Sequence, residues 1–560
     1  MDALLTMNTR TTPQSQPARG DQSQNNAGGY TFTLDDNARL RRFLTLGVDG
    51  GTYYASAPEL VKDNAGVVAR MAATDPETLV STIVDVSTRG AAPRQNPALF
   101  ALAYAAAIPE SAPAALAALP LVARTGTHLL LFAAYVEQFR GWGRGLRRAV
   151  ANWYLDRDPD AVAYQAVKYR QRNGWSHRDL LRLAHPKPAD AATRATFDWI
   201  ARNSVTDQTP ALIHAFTEAQ AATDRATWVR LIRDSDLSWE MLPDTALAAP
   251  EVWAALLDSG LPQTALLRQL PRLTRLGLLP DTGGHTTEVV EQLTDPDRLR
   301  HARVHPVNVL TAQRTYAAGK SWRGTSEWTP SRRVVDALDA AFYQAYGNIT
   351  PAGRRTLLAL DVSGSMAMGS IGGSPLTPRE ASAALALVQL ATEPQATTVG
   401  FTAGHPRPPR MGLRRYKASA DGRLGGFINR NPYRAGSSGE HLTPLDISPR
   451  QRLDDAIRTV SNLPFGGTDC ALPMSYAMDR ELEFDTFVIY TDNETWAGQI
   501  HPFHALREYR ERSGIAAKLV VVGMTATQFT IADPADGGML DVAGFDAAVP
   551  NLISEFSRGL

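Results

Sequence analysis

Cysteine is almost missing from this chain. Cys470 is the single one in 560 residues, which excludes an intrachain disulfide framework and a cysteine-based zinc cluster. A reducing compartment fits that usage. Nowhere do apolar residues run for the roughly 18 positions that a membrane-spanning helix needs. Neither sign of charge is in excess: Lys plus Arg and Asp plus Glu each number 57, with a formal net charge of zero. Any surface for a polyanion must therefore be local. The start, Met1 to Met7, has neither a basic n-region nor a long apolar h-region and does not read as a signal peptide. A cytoplasmic protein with no membrane partner is expected. The zinc-protease pattern H-E-x-x-H and the P-loop are absent as well.

What is present is a large apolar fraction, 44%, enough for several domains at roughly 150 residues each. Residues 1–28 read as a tail, with positions 8–28 rich in Thr, Gln, Ser and Asn. Such a segment buries too little apolar surface to offset its ordering entropy and is expected to be disordered. Residues 29–348 read as helical. Ala and Leu dominate, breaks recur at Pro, Gly and Asp, and Pro97–Ile108 and Thr127–Phe139 carry long apolar faces. Many short helices in series, without strands, predict stacked helix pairs, as in an α-solenoid.

The pattern changes in residues 349–560. Short apolar runs at Thr356–Val362, Thr398–Thr402, Phe484–Thr491 and Ala517–Val522 alternate with helical stretches at Arg379–Thr392 and Arg452–Asn462. Strands alternating with helices predict a mostly parallel sheet covered on both faces. The Gly-, Pro- and Arg-rich insertion 404–450 reads as a long loop. Its Arg407, Arg410, Arg414, Arg415, Lys417, Arg423, Arg430 and Arg434 are interleaved with Tyr416, Phe427 and Tyr433, a mixture that suits single-stranded RNA.

Asp361, Ser363 and Ser365 follow the first strand directly, with Gly364 allowing a tight turn between the serines. Ligands of open α/β sheets bind beyond the carboxyl ends of strands. Thr468, in the loop Phe465–Asp469, and Asp492, at the end of the strand Phe487–Thr491, are expected in equivalent places. Oxygen donors with few carboxylates and no His or Cys favour a divalent cation of the Mg²⁺ type over zinc. The order D-x-S-x-S, then T, then D resembles the metal-ion-dependent adhesion site of von Willebrand factor A domains, where a partner's carboxylate completes the coordination. A phosphatase with an Asp nucleophile wants a second acid where Ser363 stands. A serine hydrolase wants G-x-S-x-G, but Asp361 replaces the first Gly.

Basic residues are densest between 124 and 187. In KYRQRNGWSHRDLLRLAHPKP, Lys168 and Arg172 are four apart and are expected on one helical face. Gly174 should stop that helix, and Ser176 with Asp179 reads as a capping box that starts the next one. The corner is expected to gather Lys168, Arg172 and His185 around a concave edge, with cations for phosphates and Gln171 or His185 for bases and 2′-hydroxyls.

This strip resembles the TROVE module of the Ro ribonucleoprotein autoantigens. So do Arg39–Leu44 with Gly50–Tyr54, Trp142–Ala149 and Ala302–Pro306. Gly466–Cys470 and Thr491–Thr495 resemble the Ro version of the A domain. The resemblance implies a ring-like HEAT-type α-solenoid (29–348) closed by a doubly wound A domain (349–560). It also implies a monomer that binds Y RNA on the outside and threads the single-stranded ends of misfolded RNA into the central hole. It points to Lys168, Arg170, Gln171, Arg172, His185, Arg144 and Arg148 as RNA-contacting positions. Polynucleotide phosphorylase, tethered through Y RNA, is an implied partner. A non-catalytic RNA-binding protein is therefore expected. The alternative is a metal-dependent adaptor whose A domain docks an acidic partner.

Overall fold

The computed structural model describes residues 12–46, 66–402, 433–435 and 440–559, apart from 93, 322–324, 348, 370, 372–375, 462, 464–465, 526, 544 and 546–547. The cationic loop of the insertion, with Arg407 to Arg430, and the segment Gly50–Tyr54 lie outside the described residues. The chain divides into two compact units, Ala65–Gly347 and a second that joins the N-terminal segment to residues 348–560.

The N-terminal segment is not a free tail where it is described. Strands β1 (Ser23–Gln24) and β2 (Tyr30–Thr33) pair antiparallel, and the helix Asp36–Leu46 follows. The composition argument failed here because this segment docks through polar groups more than through apolar area. Gln14 and Asn25 are buried; the Gln14 amide and the Asn25 Nδ2 bond to C-terminal residues, and Asn25 Oδ1 accepts from Gly29 N of the segment itself. Phe32 adds an apolar anchor, with its ring edge-on to Phe503 at 5.4 Å. Arg39–Leu44, assigned above to the helical module, also packs here. Arg42 is buried, and its guanidinium holds both oxygens of Asp541 at 2.7 and 2.9 Å and the carbonyl of Thr527 at 2.7 Å.

The unit Ala65–Gly347 is built from helices, from Gly66–Thr74 to Arg332–Gln344. Successive helices pack mainly on next and next-but-one neighbours, the arrangement expected of stacked pairs. Starts are set by local chemistry: Asp75, Asp190, Asp224 and Asp295 each accept backbone N–H groups that the first turn leaves unpaired. The helix Asn96–Ala105 is buried from Pro97 to its end, as its apolar run requires. A hairpin interrupts the helices: β3 (Gln171–Arg172) pairs with β4 (Trp175–Ser176).

In the other unit the described sheet runs β12 (Met539–Ala543), β10 (Lys518–Gly523), β9 (Thr486–Thr491), β5 (Thr356–Asp361), β6 (Ala396–Thr402), β8 (Glu440–Pro444), β7 (Tyr433–Ala435). The first five are parallel; β8 pairs antiparallel with β6, and β7 antiparallel with β8. The insertion is thus not all loop, since β8 extends the sheet at β6. The short β11 (Phe529–Thr530) pairs with β2. Leu357, Ala359, Phe487, Ile489, Leu519 and Val521 share one core with the helices Leu472–Asp479 and Pro502–Ser513. The alternate residues face Pro378–Thr392 and its neighbours, so the strands are buried on both sides.

Two predictions follow from this packing. Arg42→Met leaves Asp541 unpaired and is expected to cost about 3 kcal/mol or more, read as a lower urea midpoint for the α/β unit; Arg42→Met with Asp541→Leu should recover part of it. In the helical unit, burial lowers His128 and His177 to about 4 and His305 to about 3. The unfolded chain binds protons below about 6.5 where the fold does not, so their contribution is complete above that pH and declines as pH falls toward the folded values. The Tm should drop between pH 7 and 5, less steeply in His305→Gln.

Candidate functional site

Two places gather the chemistry-bearing residues. The first lies at the carboxyl ends of β5 and β9, adjacent parallel strands from which the chain crosses over to opposite sides of the sheet. Asp361 ends β5 and Asp492 follows β9; both are buried. Asp361 Oδ1 accepts the Ser363 N–H at 2.8 Å, and Oδ2 accepts the Thr491 hydroxyl at 2.7 Å. Ser363 Oγ and Ser365 Oγ are 2.9 Å apart. Burial first, and Asp492 second, push Asp361 up to about 7. Arg379, itself buried, donates to the carbonyls of Val362 and Ser363 at 2.6 and 2.8 Å and so braces the turn from behind.

Thr468 is buried in the neighbouring loop, whose carbonyl at that residue accepts from Trp496 N at 3.1 Å. The loops thus bring Asp361, Ser363, Ser365 and Asp492 to one end of the sheet, with Thr468 joined through Trp496. Hydroxyl oxygens beside two carboxylates that repel each other when ionised fit a hard divalent cation, which would relieve the repulsion. Sequence reading missed Thr491, Arg379 and Glu494. Glu494 is buried, and its pKa is raised to about 7 by burial and by Asp492. Thr491 and Glu494 flank Asp492 in the sequence, but only the fold shows that Thr491 donates to Asp361 and that Glu494 feels the charge of Asp492.

The second place is the basic corner. The helix Pro159–Lys168 ends at Lys168, earlier than the shared-face reading required. Asn173 and Gly174 both have positive φ, the backbone of a two-residue type I′ turn, for which Asn-Gly is the preferred pair. Arg172 therefore sits on a hairpin and not on a helical face with Lys168. The capping box is formed: Ser176 Oγ accepts from Asp179 N, and Asp179 accepts from Ser176 N at 3.0 Å. The helix His177–Ala184 closes on His185, at φ 48°.

Lys168 points inward, its side chain 9% exposed, donating to the Tyr164 hydroxyl at 2.8 Å with Glu240 3.8 Å away. Arg170, Gln171, Arg172 and His185 are exposed, as are Arg144 and Arg148 one turn apart on the helix Arg144–Leu155. Trp142, just before that helix, packs on Trp175 of the hairpin at 5.4 Å. A recess of about 600 Å³ opens beside the hairpin, lined by Arg170, Gln171, Arg178, Trp199, Arg202 and Asn203 among others. No carboxylate is among its described lining residues. Arg172, His185, Arg144, Arg148 and Lys168 do not line it, whereas Arg178 and Arg202, which were not singled out, do. Arg178 stands in the basic strip itself; Arg202 comes from the next helix and had no local signal.

A helical-repeat unit with a cationic recess, joined in one chain to an adhesion-type α/β unit, defines a narrow class of protein. The chain belongs to the TROVE family of Ro60-type proteins. Its residues 23–227 and 232–318 match the TROVE domain, and 355–420 and 433–557 match the Ro60 vWA domain. It is 43% identical over 564 residues to the RNA-binding protein RO60 of Deinococcus radiodurans, covering 99% of both chains. It is 33% identical over 631 residues to the RNA-binding protein RO60 of Caenorhabditis elegans, covering 98% of this chain and 91% of that one. The crystal structure of the Deinococcus radiodurans RO (RSR) protein matches with 42% identity and a TM-score of 0.68, over 94% of this chain and 100% of the other.

Proposed function

We propose that this protein is a non-catalytic RNA-binding protein that holds small noncoding Y RNAs and the single-stranded ends of misfolded RNAs, in RNA quality control or stress-linked RNA processing in the cytoplasm. The recess beside the hairpin carries this reading. Arg170, Arg178 and Arg202 line one cavity whose described lining contains no carboxylate, with Asp198 3.5 Å from the Arg202 guanidinium. Such a surface suits phosphates, and the amides of Gln171 and Asn203 suit base edges or 2′-hydroxyls. Arg144, Arg148 and Arg172 extend the cationic surface around the corner, His185 adds a ring nitrogen for hydrogen bonding, and Lys168 supports it from beneath. The relatives named as RNA-binding proteins support the same reading. Polynucleotide phosphorylase, tethered through the bound RNA, is the partner this reading adds.

A second reading rests on the buried oxygens of Asp361, Ser363, Ser365, Thr468 and Asp492. They would hold a divalent cation, Mg²⁺ by donor type, and the cation would dock a carboxylate of an acidic protein partner. The two readings involve different units and are compatible.

Replacing Arg170, Arg178 and Arg202 together by Ala should weaken binding of a fluorescent Y-type RNA. It should also flatten the dependence of log K on log salt by about 2, since each phosphate contact contributes about 0.7–0.9 to that slope. An unchanged affinity and slope would remove the recess from the RNA site. For the metal, saturating Mg²⁺ should raise the Tm of the chelated protein, by the equivalent of about 2.7 kcal/mol at a hundred times Kd. Asp361→Asn should abolish that rise while leaving RNA affinity intact; a Tm indifferent to Mg²⁺ in the unmodified protein counts against the cation.

A further inference from the structure

The N-terminal segment reaches the loops that carry Thr468 and Asp492, and one of its side chains, Gln14, touches both. Gln14 is wholly buried. Its Nε2 donates to Asp469 Oδ1 at 2.7 Å and to the carbonyl of Ile500 at 2.8 Å, and its Oε1 accepts from the Thr495 hydroxyl. The backbone is tied at the same point, Gln14 N donating to the Gly498 carbonyl at 2.9 Å. Asp469 follows Thr468, and Thr495 lies three residues after Asp492, so one amide spans the two loops. An amide suits both ends, because its NH2 donates to the carboxylate while its oxygen accepts from the hydroxyl.

The surroundings are shaped for this contact. A Cβ on Gly498 would lie 2.3 Å from both Gln14 Nε2 and Asp469 Oδ1, and a Cβ on Gly29 would lie 1.9 Å from the Thr495 carbonyl oxygen. Asn26 Nδ2 and Ala27 N bind the two oxygens of Glu494 at 2.7 and 3.0 Å. The segment therefore holds the stretch after Asp492 at several residues, Glu494 and Thr495 among them, and the Thr468 loop at Asp469.

We propose that Gln14 is a positioning residue for the cation site: by tying the two loops it sets the separation of Thr468 and Asp492, so metal affinity depends on the docked N-terminal segment. This rests on the divalent-cation reading above. Gln14 touches no proposed ligand directly and acts through Asp469 and Thr495.

The test is calorimetric titration of the full chain with Mn²⁺ alone and with Ca²⁺ alone, comparing the unmodified protein, Gln14→Ala and Asp361→Asn. The expected result is a saturable Mn²⁺ site lost in Asp361→Asn and weakened about 10-fold in Gln14→Ala, the scale of supporting residues around metal ligands. The ratio of affinities should shift toward Ca²⁺, because a looser cage suits a cation with longer and less rigid bonds. Should Gln14→Ala fail to fold, the same comparison uses Gln14→Glu, which keeps the acceptor and loses the donor. Mn²⁺ affinity within about twofold of the unmodified protein overturns the role of Gln14 and leaves the cation reading standing. An unchanged Mn²⁺ to Ca²⁺ ratio, with a lower Tm in chelator, marks Gln14 as merely structural and also overturns it. No saturable Mn²⁺ site, or one indifferent to Asp361→Asn, overturns both readings.

Discussion

The C-terminal unit is organised around two buried carboxylates, Asp361 and Asp492, placed at the ends of adjacent parallel strands. Taking such groups out of water is expensive, and facing each other makes it more so. Their neighbours answer that problem. Thr491 and the Ser363 N–H donate to Asp361. Arg379 braces the turn from the helix behind it. Parallel strands buried on both faces hold the two acids in register, since slippage by one residue would send every side chain to the opposite face. The same pattern puts the site at the point where the chain leaves the sheet in two directions, which opens a crevice there.

The N-terminal segment belongs to this arrangement. Its residues look like a disordered tail because their value to the fold lies in hydrogen bonds. A buried amide contributes nothing to an apolar count, yet leaving its partners unsatisfied costs about 1–3 kcal/mol each. Gln14, Asn25 and Arg42 each fill a polar socket prepared by residues more than 450 positions away. A family match that begins at residue 23 and a compact unit that joins the segment to residues 348–560 are therefore both right: sequence kinship and spatial packing cut the chain in different places.

The helical unit shows the converse. Its periodicity and caps were legible, since Pro, Asp and Ser at helix starts act within one turn. The capping box at Ser176 and Asp179 formed as read, while the stretch just before it did not. Asn173-Gly174 is a strong two-residue turn signal, and it outcompeted a helical spacing argument that rested on Lys168 and Arg172 alone. The result moved Arg172 onto a hairpin and turned Lys168 toward Tyr164 and Glu240.

By itself the sequence determined the helical and α/β halves and four of the five parallel strands, missing Met539–Ala543, because each depends on local periodicity. Only the tertiary structure decided which cations share a cavity. Arg202 joins Arg170 and Arg178 through helix packing, whereas Arg144, Arg148 and His185 stay outside. It alone also decided that Gln14 lies between Asp469 and Thr495. Contacts between residues hundreds of positions apart leave no local pattern; they exist only once the backbone has brought a donor and an acceptor within reach.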